Sequence, residues 1–196
     1  MRILLSLAVC CSFSAQAMAH DRTTTTPETI IAPGAQEKDP KELALDKMVQ
    51  QIDADYVAIN EKSLNIRIVK IEEGEFEAGC AVKANVTYSN AAGEPVEKIE
   101  RWMAGDATEE MIEYYYKAGK LFFVLRKQVY YPPNTADKPV QSELKIYLDK
   151  GKPVKYISSQ GDTYQTMDFK AEVKEGVALY KAKTKEQTRD AICPAD

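Results

Sequence analysis

Apolar residues recur with a helical period near each end of the chain and with a period of two in between. Leu45, Met48, Val49, Ile52, Tyr56 and Ile59 fall three or four apart and draw one stripe along a helix. Asp39 as N-cap, Pro40 at the first helical position and Glu42 just inside mark its start. At Leu64 the period changes. Leu64, Ile66 and Ile68 point to one side of a strand, and Arg67 and Val69 to the other. Further strands are predicted over 80–89, 95–104, 110–118, 120–131, 141–149 and 153–159. From Asp162 the helical period returns in Phe169, Val173, Val177 and Tyr180, with Gly176 as a point where the helix would kink or split.

The connections between these strands are too short for a parallel crossover, so consecutive strands must run antiparallel. The predicted fold class is α+β: a single antiparallel meander of about six to seven strands, with an N-terminal and a C-terminal helix packed on one face.

A hairpin unit repeats within the meander. Tyr115-Tyr116-Lys117-Ala118-Gly119-Lys120-Leu121 and Tyr147-Leu148-Asp149-Lys150-Gly151-Lys152-Pro153 share a tyrosine followed by a tight glycine-lysine turn, and 86–96 around Gly93 is a looser copy. With two-residue loops, simple alternation puts Tyr114 opposite Phe123 and Tyr115 opposite Phe122. Matching the turns collects Leu148, Ile146, Leu144 and Ile157 on an aliphatic face, which the helices are expected to cover. The opposite face gathers Tyr115, Phe122, Tyr147 and Tyr156, a candidate binding surface because tyrosine offers a rigid contact area with a polar tip. Strand-forming aromatics that merely shield one side of a sheet would give the same pattern, and Trp102 and Arg101 on the 95–104 strand carry the same ambiguity.

Residues 1–19 have the three parts of a secretory signal: Met1-Arg2, the apolar run Ile3–Phe13, and Ala17-Met18-Ala19 as a cleavage site. Lipid attachment at Cys10 competes with this reading, but Val9 stands where a small residue belongs. Cleavage makes His20 the mature N-terminus and implies a periplasmic or secreted protein with no membrane insertion. Residues 20–38, rich in Thr and Pro, read as a flexible leader before a single domain, 39–196. Losing Arg2 shifts the net charge from −4 to −5, and no Lys/Arg stripe suggests a nucleic-acid partner. Cys80 and Cys193 remain. In an exported chain they suggest a disulfide, since two thiolates without His or further Cys do not complete a zinc site.

The only histidine, His20, lies in the leader. That leaves no imidazole for a Ser-His or Cys-His nucleophile or a multi-histidine metal site within the domain. Glu72-Glu73, Glu109-Glu110 and Asp53-x-Asp55 do not place two carboxylates side by side: neighbours on a strand face opposite ways, and helix residues two apart diverge. No phosphate-loop, dinucleotide, calcium-loop or zincin motif occurs, so neither a catalytic residue nor a cofactor or metal is expected.

Ile112-Glu113-Tyr114-Tyr115-Tyr116-Lys117-Ala118-Gly119-Lys120-Leu121-Phe122-Phe123-Val124 resembles a loose group of small secreted or lipid-anchored bacterial proteins. They share the aromatic triplet, the Gly-Lys-Leu turn and the Phe-Phe-Val continuation. The resemblance spans about residues 45–190. It implies a meander packed on helices and brings no established activity. The turn repeat is also distantly similar to MORN-type hairpin repeats. Together these features lead us to expect an exported, non-enzymatic protein that binds a macromolecular or envelope partner. The alternative is a periplasmic immunity or inhibitor protein directed at a secreted hydrolase or toxin.

Overall fold

The computed structural model describes residues 39–72, 83–134, 138–161 and 169–193. Helix α1 (Pro40–Asn60) leads into strands β1 (Asn65–Ile71), β2 (Lys83–Asn90), β3 (Lys98–Ala104), β4 (Thr108–Lys117), β5 (Lys120–Tyr130), β6 (Val140–Asp149) and β7 (Lys152–Ser158). Helices α2 (Lys170–Lys181) and α3 (Lys185–Ile192) follow. The seven strands pair in chain order and every pair is antiparallel, which is the predicted α+β meander.

The β4–β5 and β6–β7 hairpins turn on the same device. Ala118 and Gly119 have φ of 50° and 74°, and Lys150 and Gly151 have 51° and 79°. Two successive left-handed residues match the twist of the flanking strands. Each turn is followed by one extra residue, Phe122 in the first hairpin and Val154 in the second. Tyr116 faces Leu121 but Tyr115 faces Phe123, and Leu148 faces Pro153 but Tyr147 faces Lys155. These are β-bulges, and beyond them the pairing read by simple alternation is off by one. Tyr114 therefore lies opposite Val124, and Tyr156 lies opposite Ile146.

The helices divide between the two faces, which corrects the expectation that they share one. The bulges bring Tyr115, Phe123, Leu125 and Tyr147 into one buried patch, and α1 covers it with Leu45, Met48, Val49, Ile52, Tyr56 and Ile59. A patch of that size cannot be left in water, and the α1 stripe is the apolar surface that closes it. On the other face Tyr114, Tyr116, Leu121, Val124 and Ile146 pack with Leu179 and Ile192.

Gly176 does not interrupt α2, which runs unbroken from Lys170 to Lys181. Instead it allows close approach: a Cβ there would stand 2.6 Å from Tyr114 Cδ1, and its carbonyl accepts from Tyr116 Oη at 2.7 Å. The C-terminal helical segment is two helices, because Thr184 starts α3 with a capping box closed by Gln187. Cys193 ends α3 and packs against this core. Cys80, the signal segment 1–19 and the leader 20–38 lie outside the described residues. Among the described residues no helix is long and apolar enough to cross a membrane.

Candidate functional site

Helix α1 crosses the strands in order. Asp46 sits 3.7 Å from Lys155 on β7, Asp53 accepts from Tyr147 Oη on β6 at 3.0 Å, and Tyr56 packs edge-on against Phe123 and Tyr115 of β5 and β4. At its C-terminal end Asn60 bonds Tyr115 and accepts from Lys98 Nζ of β3 at 3.3 Å, and Lys62 pairs with Glu97 just beyond. The helix thereby covers the half of this face nearest the β4–β5 and β6–β7 turns.

Polar groups on the covered half are paired. The buried Glu113 accepts from Tyr115 Oη at 2.6 Å and lies 3.2 Å from Lys98 Nζ. Lys117 reaches Asp55 at 2.7 Å. Burial, reinforced by the bond to Glu113, pushes the Tyr115 phenol far above its ordinary range, and burial with the neighbouring Asp53 does the same to Tyr147.

Two further rows of the same face lie past the end of this cover. Trp102, Met111, Lys127 and Glu143 stand side by side across β3, β4, β5 and β6, and Ser159 extends the row by accepting from Glu143 N at 2.8 Å. Glu109, Val129 and Gln141 form the next row. Alternation puts all of these on the α1 side of the sheet. They line a shelf of about 580 Å³, in the range of ligand sites. The side chains of Glu109, Lys127 and Gln141 make no hydrogen bond or ion pair within the described residues, and Trp102 lies half-buried on the floor.

The four residues singled out as an aromatic binding face do not form one. Tyr115 and Tyr147 are fully buried beneath α1, and Phe122, the bulge residue, is half-buried at the edge of the same cluster. Tyr156 sits on the opposite face, against Phe169 with ring centroids 5.2 Å apart. There are two physical reasons: α1 covers the face that Tyr115 and Tyr147 do share, and the bulges shift Phe122 and Tyr156 out of the register that simple alternation gives them. The shelf residues escaped notice because their alignment into rows depends on strand register, which no local pattern encodes. Trp102, the only tryptophan, was the one visible signal.

Glu109 and Glu110 do face opposite ways, as strand geometry requires. Glu110 joins a charged cluster on the α2 side: it lies 2.6 Å from both Arg101 and Arg126, while Arg101 also meets Glu175 at 2.6 Å and Arg126 meets Glu172 at 3.3 Å. Burial raises the Glu175 carboxyl despite Arg101 and Tyr114 beside it. Burial opposes the Arg101 charge, but Glu175, Tyr114 and Glu110 outweigh it and raise its pKa. Such a cluster fixes where α2 docks. Among the described residues no group of three or more His, Cys, Asp and Glu is placed to hold a metal ion.

Comparison with known proteins adds no relative to this description: no family model, curated protein or solved structure matches the chain.

Proposed function

We propose that this is an exported, non-catalytic binding protein that takes an envelope component on the shelf around Trp102. The observation that carries the reading is the contrast in polar pairing: among the described residues the side chains of Glu109, Lys127 and Gln141 have no partner, and they surround a half-buried apolar floor. Isolated surface polar groups are ordinary, but here they converge on one concave site beside an indole. The signal segment and leader support export. Cys193 lies on the core under α3, whose Thr188 bonds Tyr88 of β2 at 2.8 Å, and Cys80 precedes β2 by only three residues. A Cys80–Cys193 disulfide would fit an oxidising compartment and tie α3 to the sheet. Thiol alkylation with and without prior reduction, read by mass, tests it: two groups added only after reduction is the expected result.

The binding reading is tested with the mature protein immobilised and exposed to envelope extract. Wild type should retain material that Trp102→Ala does not, with both proteins giving the same circular dichroism. Equal retention by the two would refute it. Substituting Tyr115 or Tyr147 is no test of binding, because both rings belong to the core.

A further inference from the structure

We propose that the shelf recognises a neutral oligosaccharide, with one sugar ring stacked on Trp102. This rests on the shelf being the binding site and names the ligand class.

Four observations point to a glycan. First, the lining combines an indole with groups suited to vicinal hydroxyls: the carboxylate of Glu109, the amide of Gln141 and the ammonium of Lys127, all without protein partners among the described residues. A pyranose presents an apolar C–H face to an aromatic ring and a rim of hydroxyls to such groups, so both halves of the surface are used at once. Second, charge is nearly balanced. Glu109 and Lys127 offset each other, and Glu143 has Lys145 at 3.7 Å. A polyanion would need a basic stripe, which is absent here.

Third, the shelf lies over interior strands. Each of β3, β4, β5 and β6 is paired on both sides, so its backbone groups are committed to the ladder. An extended peptide binds a sheet chiefly through free backbone at an edge, and the shelf offers none. Recognition there must be by side chains. Fourth, the row from Trp102 on β3 to Ser159 beyond β7 crosses four strand spacings, about 19 Å, which accommodates several linked rings rather than one.

Trp102 is the only tryptophan, so its fluorescence reports on the shelf alone. The mature protein is titrated with the tetrasaccharide of β-1,4-linked N-acetylglucosamine, with cellotetraose and with tetragalacturonic acid. A saturable change in emission with either neutral tetrasaccharide, and binding of the acidic one weaker by about tenfold or more, is the expected result. By calorimetry, Gln141→Ala should weaken the neutral sugar several-fold, and Trp102→Ala should weaken it by about tenfold or more. Emission unchanged by all three sugars at millimolar concentration overturns the proposal, as does preference for the acidic sugar or an affinity untouched by both substitutions. If all three sugars fail while Trp102→Ala still abolishes retention of protein from envelope extract, the ligand class is wrong and the broader binding reading survives. If Trp102→Ala retains material as wild type does, both fall.

Discussion

The α1 side of the sheet has two halves built from the same strands, and they differ in what their polar atoms do. Beneath the helix, Glu113, Tyr115, Lys98 and Asn60 close on one another, and Tyr147 closes on Asp53. Further along the same strands, Glu109, Lys127 and Gln141 line an open cavity with no such closure among the described residues. An internally satisfied surface has nothing left to offer a ligand, whereas an unsatisfied concave one does. Aromatic density alone is therefore a poor guide to open surface in this protein. The richest cluster of rings is core, and the candidate site is built around a lone indole.

That contrast can be broken most severely from the covered half. Tyr147→Ala removes a fully buried ring that packs on Phe123, centroids 5.1 Å apart, and should cost about 3–5 kcal/mol in denaturant unfolding. A destabilisation below about 1 kcal/mol would mean that α1 does not hold this patch closed in solution. The opposite face supplies a reference: Gly176→Ala forces a Cβ onto Tyr114 and should cost about 1–3 kcal/mol. Tyr115→Phe keeps the ring but strips the hydroxyl from the buried Glu113, a loss of about 1–3 kcal/mol measured the same way.

Alkaline pH probes the same pairing. The Tyr115 phenol is raised in the folded protein relative to its unfolded value near 10, so its contribution to stability is complete below about pH 10. As pH climbs above that value the unfolded chain ionises first, and stability falls by up to about 1.4 kcal/mol per pH unit for this one group. Tyr114 and Tyr116, also raised by burial, add to the slope. Denaturant midpoints from pH 8 to 11 should fall less steeply in Tyr115→Phe than in wild type. On the open half, Lys127→Ala should change stability by no more than about 0.5 kcal/mol, because no described residue pairs with that ammonium. A larger loss would show the shelf to be structural.

Much of the architecture was legible from local signals. The glycine turns at Gly119 and Gly151, the alternation from Leu64 and the α1 stripe each depend on residues close in sequence, and each element formed where expected. The bulges at Phe122 and Val154 were not legible. Both sides of the first hairpin are apolar near its turn, so shifting one residue across the sheet left the hydrophobic pattern equally plausible. The face assignments of Tyr156 and Phe122 failed at that point.

Short-range chemistry in the chain specified where it turns, which segments are helix and which strand, and that the strands meander. Which face each helix covers, which tyrosines are sealed and which polar groups remain open emerged only in three dimensions. Those features follow from register and from competition among distant apolar surfaces for one another, and such competition is decided by the whole assembled sheet rather than by any stretch of neighbours.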